Sequence, residues 1–183
     1  MNKTSIVILS YNTYNLTKSC IESIRRFTPA GSYEIIVIDN ASQDESVEWL
    51  KEQTDIRLVC NEENRGFPAG CNQGMAMAKQ GNDILLLNSD TIVTPRWLEN
   101  LQIALYSEPK IDVKYETYEE LMNFADKMNH SNSELWEVRP KLVGFCYLIK
   151  NEAYKIAGFL DEIYSPGNYE DNDYSLKLIM AGY

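Results

Sequence analysis

Four short apolar runs, each bounded by polar residues, alternate with stretches whose apolar residues recur at helical spacing. The runs are Ser5-Ile6-Val7-Ile8-Leu9-Ser10, Glu34-Ile35-Ile36-Val37-Ile38-Asp39, residues 83–87 and residues 56–60, the last read as the third strand although Arg57 interrupts it. Strands apolar on both faces are what a parallel sheet covered by helices requires. After the first run, Leu16, Cys20, Ile21, Ile24 and Phe27 mark a helix that Pro29 and Gly31 stop. Ser42-x-x-Glu45 has the capping-box form and predicts the start of a short helix holding Val47 and Leu50. The glycine-punctuated residues 66–74 lead into a helix through Lys79, and Thr94-Pro95 predicts another helix with proline at its first position. This alternation implies βαβ units, right-handed crossovers and a parallel sheet.

The second half is less regular. Residues 116–128 read as an amphipathic helix with Leu121, Phe124, Ala125 and Met128 on one face. Residues 142–149 read as a strand, and residues 152–157 as a short helix closed by Gly158. Residues 171–180 read as a final helix whose acidic first turn suits the helix dipole. At 183 residues the chain makes one domain with a sizeable core.

The net charge of −10 excludes non-specific nucleic-acid binding, which needs a basic footprint. The sequence has no apolar run of the ~18 residues that cross a bilayer, and no secretory signal pattern. Cys20, Cys60, Cys71 and Cys146 lack metal-ligand spacing and read as reduced thiols of a cytoplasmic protein. An acidic chain that handles a diphosphate needs a metal ion and backbone donors to supply positive charge. Asp90, after the run Leu85-Leu86-Leu87-Asn88-Ser89, stands where open α/β sheets place their ligands.

Seven motifs occur in one order. They are Val7-Ile8-Leu9-Ser10-Tyr11-Asn12; Ile36-Val37-Ile38-Asp39-Asn40-Ala41-Ser42; Asn64-Arg65-Gly66-Phe67-x-x-Gly70-x-Asn72-x-Gly74; and Leu87-Asn88-Ser89-Asp90-Thr91. Gly144-Phe145-Cys146, Gly158-Phe159-Leu160-Asp161-Glu162 and Glu170-Asp171-x-Asp173 follow. The series resembles family 2 glycosyltransferases over nearly the whole chain. The resemblance implies the GT-A fold, a Rossmann-like three-layer α/β/α sandwich with a predominantly parallel mixed sheet. It also implies sugar transfer from a nucleotide-diphosphate donor with inversion, assisted by Mn2+ or Mg2+. Asn88-x-Asp90-Thr91 is similar to the rhamnosyltransferase-like branch.

On that resemblance, residues 1–107 form the donor half and residues 108–183 the acceptor and catalytic half of a single domain. The implied donor is a UDP- or dTDP-sugar, and the acceptor a carbohydrate, lipid-linked or protein hydroxyl. The setting is surface polysaccharide synthesis in the cytoplasm, with peripheral association at the inner face of the membrane. Relatives usually carry a Gly-x-x-Gly-Pro segment near positions 109–113, absent here, and continue past the position of Tyr183. A truncated acceptor half is therefore expected. Sequence alone does not distinguish a monomer from a homo-oligomer.

Each candidate residue has two readings. Tyr11 stacks on a nucleobase or is a turn tyrosine. Asp39 accepts hydrogen bonds from uracil, thymine or ribose, or caps the turn before Ser42. Asn40 reads as turn chemistry only. Asn64, Arg65 and Asn72 line phosphates or ribose, or belong to a glycine-rich connection that fits no standard phosphate loop. The resemblance favours the donor pocket and extends its set to Ser10, Asn12 and Ser89. Asp90 holds a divalent cation or caps a turn, and Asn88 leaves it the one carboxylate of the motif. By resemblance Asp171 is the general base and Glu170 orients the acceptor; the acids Glu170, Asp171 and Asp173 equally suit a helix N-terminus. His130 reads as exposed, and Trp49, Trp97 and Trp136 as packing residues, with Trp136 a candidate border of an acceptor groove.

Two other function classes stay open on sequence. A nucleotidyltransferase would need a basic glycine-rich loop after the first strand, where Tyr11-Asn12-Thr13 stands. A non-catalytic sugar-nucleotide-binding module of a larger assembly fits the shortened acceptor half. Intact Asp90 and Asp171 favour catalysis.

Overall fold

A computed structural model of the chain describes residues 2–106 and 146–183. Its centre is a five-stranded sheet in the order β3-β2-β1-β4-β5. The strands are β1 (Thr4–Ser10), β2 (Tyr33–Asp39), β3 (Ile56–Cys60), β4 (Asp83–Asn88) and β5 (Cys146–Ile149). The first four are parallel, and β5 runs antiparallel to β4 with Leu87 opposite Cys146. Helices α1 (Tyr14–Phe27), α2 (Ser46–Lys51), α3 (Phe67–Met77) and α4 (Trp97–Tyr106) follow β1 to β4 in turn. Helix α5 (Asn151–Ala157), a 3-10 turn (Glu162–Tyr164) and α6 (Glu170–Met180) follow β5.

The strands' alternating side chains divide the core in two. Ile6, Ile8, Ile35, Val37, Leu85 and Leu87 meet Cys20, Ile21 and Ile24 of α1, Leu50 of α2 and Trp97 and Leu98 of α4. Val7, Ile36, Ile38, Ile84 and Leu86 meet Cys71 and Met75 of α3, Ala153 of α5 and Tyr174 of α6. Burial of both faces, with each large aliphatic side chain contributing about 1.5–3 kcal/mol, makes this a three-layer α/β/α sandwich.

Three local expectations are corrected. Helix α2 begins at Ser46, so Ser42 does not cap it. Instead, Asp44 Oδ1 accepts the Ser46 amide at 3.0 Å while its Oδ2 accepts the Tyr14 amide at 2.9 Å. One carboxylate thus serves two helix N-termini, and α1 has no acid of its own in its first turn. Burial raises the Asp44 pKa, but these bonds outweigh it and the net shift is downward. Second, α4 begins at Trp97, after Arg96 turns with φ of 60°, so Pro95 precedes the helix. Third, Leu16 is 50% exposed and leaves the core to Cys20, Ile21 and Ile24. The helix expected over 116–128, the beginning of the strand expected over 142–149, His130 and Trp136 lie outside the described residues.

The glycine segment is itself the helix. Residues 67–77 form α3, and Gly66 precedes it with φ of 81°. A side chain at Gly70 would collide with Leu9, and one at Gly74 with Val7. These two positions let α3 lie directly on β1. They are contact surfaces within a helix rather than flexible backbone.

Candidate active site at the carboxyl edge of the sheet

The parallel register brings the ends of four strands to one edge. Ser10 lies beside Asp39, Asp39 beside Cys60, and Leu9 beside Asn88. Tyr11, Asn40, Asn61 and Ser89 begin the loops above that edge, where doubly wound sheets bind ligands.

The loops after β1 and β2 clasp one another. Asn12, with φ of 52°, donates its amide to Ser42 Oγ at 2.9 Å and accepts the Gln43 amide at 2.7 Å. Tyr11 is left 46% exposed above them. Ser10 is buried, and its hydroxyl meets Thr17 Oγ1 at 3.1 Å. Thr13 Oγ1 lies 3.0 Å from Thr17 Oγ1 and 3.4 Å from Ser89 Oγ, linking the loop after β4 to the start of α1. Ser10 therefore joins β1 to α1 beneath the edge.

Asp39 is fully buried, and its Oδ1 accepts the Ser42 amide at 2.8 Å. Its Oδ2 is shut off from solvent and has no hydrogen-bond partner among the described residues. Buried acceptors are ordinarily satisfied, so this oxygen requires a donor that the described residues do not supply.

Asn40 does more than make a turn. Its Nδ2 donates to Asn64 Oδ1 at 2.9 Å and to the Gly66 carbonyl at 3.2 Å. Its Oδ1 accepts from Asn61 Nδ2 at 2.9 Å and from the Arg65 amide at 3.2 Å. Asn61 and Gln73 exchange amide bonds of 2.8 and 2.9 Å, which fasten the same loop to α3. A polar side chain immediately after a buried strand was the available sequence signal. The exposed Arg65 side chain rides on this fixed backbone, and Asn64 Oδ1 belongs to it, accepting also the Gly66 amide at 2.9 Å.

Asn72 is buried within α3. Its Nδ2 donates to the Leu160 carbonyl at 2.9 Å and to Glu162 Oε1 at 3.0 Å, and its Oδ1 accepts the Leu160 amide at 3.0 Å. Both amide atoms are thereby engaged in holding the loop after α5. The same loop meets the end of the Asn64 segment, where the Phe67 amide donates to the Pro166 carbonyl at 2.8 Å. A side chain at Gly66 would strike Ser165.

Asp90 is exposed in the turn that follows β4. The Asn88 carbonyl below it accepts the Thr91 amide at 3.2 Å and the Cys20 thiol at 3.7 Å. Burial, followed by the Asp90 charge, pushes the Cys20 pKa up to about 12. Among the described residues no three His, Cys, Asp or Glu side chains gather as metal ligands. One exposed hard-oxygen ligand fits a cation held jointly by a single carboxylate and a substrate diphosphate.

Glu170 and Asp171 open α6 behind Tyr169, whose φ is 72°. Glu170 Oε2 is solvent-excluded and lacks a hydrogen-bond partner among the described residues. Its charge is felt by Cys71 of α3, whose pKa rises chiefly through burial. Asp171 Oδ1 accepts the Asn172 amide at 2.7 Å. Asp173 pairs with Lys177 at 3.0 Å on the same helix.

The model of glycosyl transferase family 2 matches residues 5–166, and the chain belongs to that family. The putative glycosyltransferase EpsH of Bacillus subtilis is 32% identical over 100 residues, covering 53% of this chain and 28% of its own length. Glycosyltransferase GlyG of Streptococcus pneumoniae is 32% identical over 101 residues, 53% of this chain and 33% of that protein. This chain thus spans about a third or less of those relatives. Among solved structures, the mannosyltransferase PcManGT of Pyrobaculum calidifontis, in complex with GDP-Man and Mn2+, superposes with a TM-score of 0.70 at 20% identity. That match covers 100% of this chain and 53% of PcManGT. GalNAc-T7 with UDP, GalNAc and Mn2+ gives 0.73 at 18% identity, over 97% of this chain and 40% of its own. These likenesses establish the GT-A fold.

Proposed function

We propose that the chain is the donor-binding and catalytic part of an inverting glycosyltransferase that moves a sugar from a nucleoside-diphosphate donor to an acceptor hydroxyl. The observation that carries this reading is the buried Asp39 Oδ2 at the carboxyl edge of the sheet, without a hydrogen-bond partner among the described residues. A carboxylate there requires a donor. Uracil, thymine and guanine present a ring N–H, whereas adenine and cytosine present a ring acceptor at the corresponding position. UDP-, dTDP- and GDP-sugars therefore fit. UDP and dTDP suit best a pocket in which the Tyr11 ring covers a single pyrimidine.

Residues 1–107 serve as the donor half. Asn12 and Ser42 hold the base-side loops, Ser10 and Ser89 support the edge, and Asn64 and Arg65 face the ribose and diphosphate. Asn72 fixes the acceptor-side loop against that half. Asp90 is the residue that would hold Mn2+ or Mg2+. When bound there, the cation supplies charge neutralisation of the departing diphosphate. Asp171 removes the proton of the attacking acceptor hydroxyl, and Glu170 positions the helix start that carries it. Attack from the face opposite the diphosphate inverts the anomeric carbon. No helix among the described residues is long and apolar enough to cross a membrane. Work on surface polysaccharide from the cytoplasmic side, with peripheral membrane contact, is the setting we assign.

The test is a panel of UDP-, dTDP-, GDP-, CDP- and ADP-sugars with Mn2+, read as donor hydrolysis and nucleotide affinity. A donor from the first three, with affinity lowered at least tenfold by Asp39→Ala, is the expected result. Preference for a CDP- or ADP-sugar, or no binding at all, contradicts the reading.

A further inference from the structure

The loop that leads into α6 presents an aromatic ring to solvent from the residue that directly precedes Glu170 and Asp171. Tyr169 is 70% exposed, although its backbone has φ of 72° and that of Asn168 before it has φ of 93°. A bulky side chain in the left-handed region is unfavourable, and such residues persist where the surrounding structure fixes them. The fixing contacts are on both sides. Tyr169 O accepts the Asp173 amide at 2.9 Å as the first bond of α6, and the Pro166 carbonyl accepts the Phe67 amide at 2.8 Å. Upstream, Asn72 binds Leu160 and Glu162. The ring is therefore carried on an anchored backbone while contributing little to the core.

We infer that Tyr169 is the stacking platform for the acceptor sugar, a reading that rests on the proposed glycosyl transfer. A pyranose ring has an apolar face of C–H groups that packs on an aromatic face, and tyrosine offers that face with a polar rim. Tyr169 directly precedes Glu170 and Asp171, so the residue that carries the ring stands at the start of α6. The remaining free edge of Tyr169 faces water, which suits a ligand that enters and leaves.

The experiment uses the full chain with UDP, Mg2+ and three probes: the methyl glycosides of β-glucose, N-acetyl-β-glucosamine and α-rhamnose. Saturation-transfer NMR reads glycoside binding, and calorimetry reads UDP affinity. At least one glycoside is expected to bind the wild type. Tyr169→Ala and Tyr169→Gly should each weaken it at least tenfold, Tyr169→Phe less than threefold, and all three should keep UDP affinity. Glycine tolerates the positive φ, so its loss of binding reports the ring and not a disturbed turn. Glycoside binding that survives in both ring-less variants overturns the inference, as does wild-type binding of UDP with none of the glycosides. Loss of UDP affinity in the ring-less variants also overturns it, by placing the ring at the donor. Failure of the wild type to bind UDP or any other nucleotide of the donor panel would overturn the glycosyltransferase reading itself.

Discussion

Asn72 and Leu160, 88 residues apart, form a reciprocal pair in which the side-chain amide donates to the Leu160 carbonyl at 2.9 Å and accepts its N–H at 3.0 Å. The pair reproduces one rung of a β-ladder with a side chain in place of a strand. It joins α3, packed on β1, to the loop that ends at Tyr169, just before Glu170 and Asp171 open α6. The two sides of the candidate site are thereby held in one frame.

Asn72→Ala takes the side-chain partner from two buried backbone groups, the N–H and the C=O of Leu160. Each such group left unsatisfied costs about 1–3 kcal/mol. Urea denaturation should show the chain destabilised by that order, with glycoside transfer reduced more than nucleotide affinity. Unchanged stability would mean that the loop is held by its other contacts.

Gly74→Ala sets two effects against each other. Alanine favours a helix interior by about 1 kcal/mol over glycine. Its methyl group would collide with Val7, and overpacking a well-filled contact typically costs about 1–3 kcal/mol. A net loss of stability in thermal melts is expected. A gain would show that α3 can lift off the sheet at little cost.

The four thiols differ in reach. Cys60 is exposed, whereas Cys20 and Cys71 are buried and Cys146 is half-buried. Burial pushes Cys20 and Cys146 up to about 12. A disulfide reagent at pH 8 should label one thiol quickly in the native chain and four in denaturant. A thiol in the unfolded chain loses its proton near 9.0, while the folded chain keeps both protons to about 12. Across that window the unfolded state binds fewer protons, so stability falls as pH rises from 9 to 12. Measured stability that is flat or rising there would contradict the burial of these thiols.

Asp90→Ala tests the cation. Calorimetry with UDP should show affinity enhanced by Mn2+ in the wild type, and that enhancement lost in the variant with thermal stability kept. Asp90 is exposed, so its truncation removes no buried side chain. An equal Mn2+ effect in both proteins would place the cation elsewhere.

Strands β1, β2 and β4 were legible because they are buried on both faces and read as apolar runs, whereas β3, with Arg57 inside it, lies at the sheet's edge and is only partly buried. Residues 56–60 form β3 with the expected bounds. Helix starts were less legible. Ser42-x-x-Glu45 matched a capping box, yet the actual acceptor is Asp44, which also serves α1 from a distant loop. Such sharing depends on how loops meet in space. Gly70 and Gly74 look like loop glycines in the sequence because close helix–strand approach leaves no periodic mark. Asn40 was read as turn chemistry, since its four partners come from three sequence positions beyond it and from Gly66. The ordering of Tyr11, Asp39 and Asp90 along the chain was visible. The buried oxygen of Asp39 and the conformation of Tyr169 are properties of the folded backbone alone.

The most direct test of sugar transfer by this chain is single-turnover transfer by Asp171→Asn, measured with a working donor and acceptor beside donor affinity. The amide keeps the size and hydrogen bonding of the carboxylate but takes up no proton at neutral pH. The account predicts a rate lower by about 10²–10⁴-fold with donor affinity kept, and a smaller loss in Glu170→Gln. Near-normal turnover by Asp171→Asn, with Glu170→Gln inactive, would assign the base to Glu170; full activity in both would make the pair a helix start without chemistry.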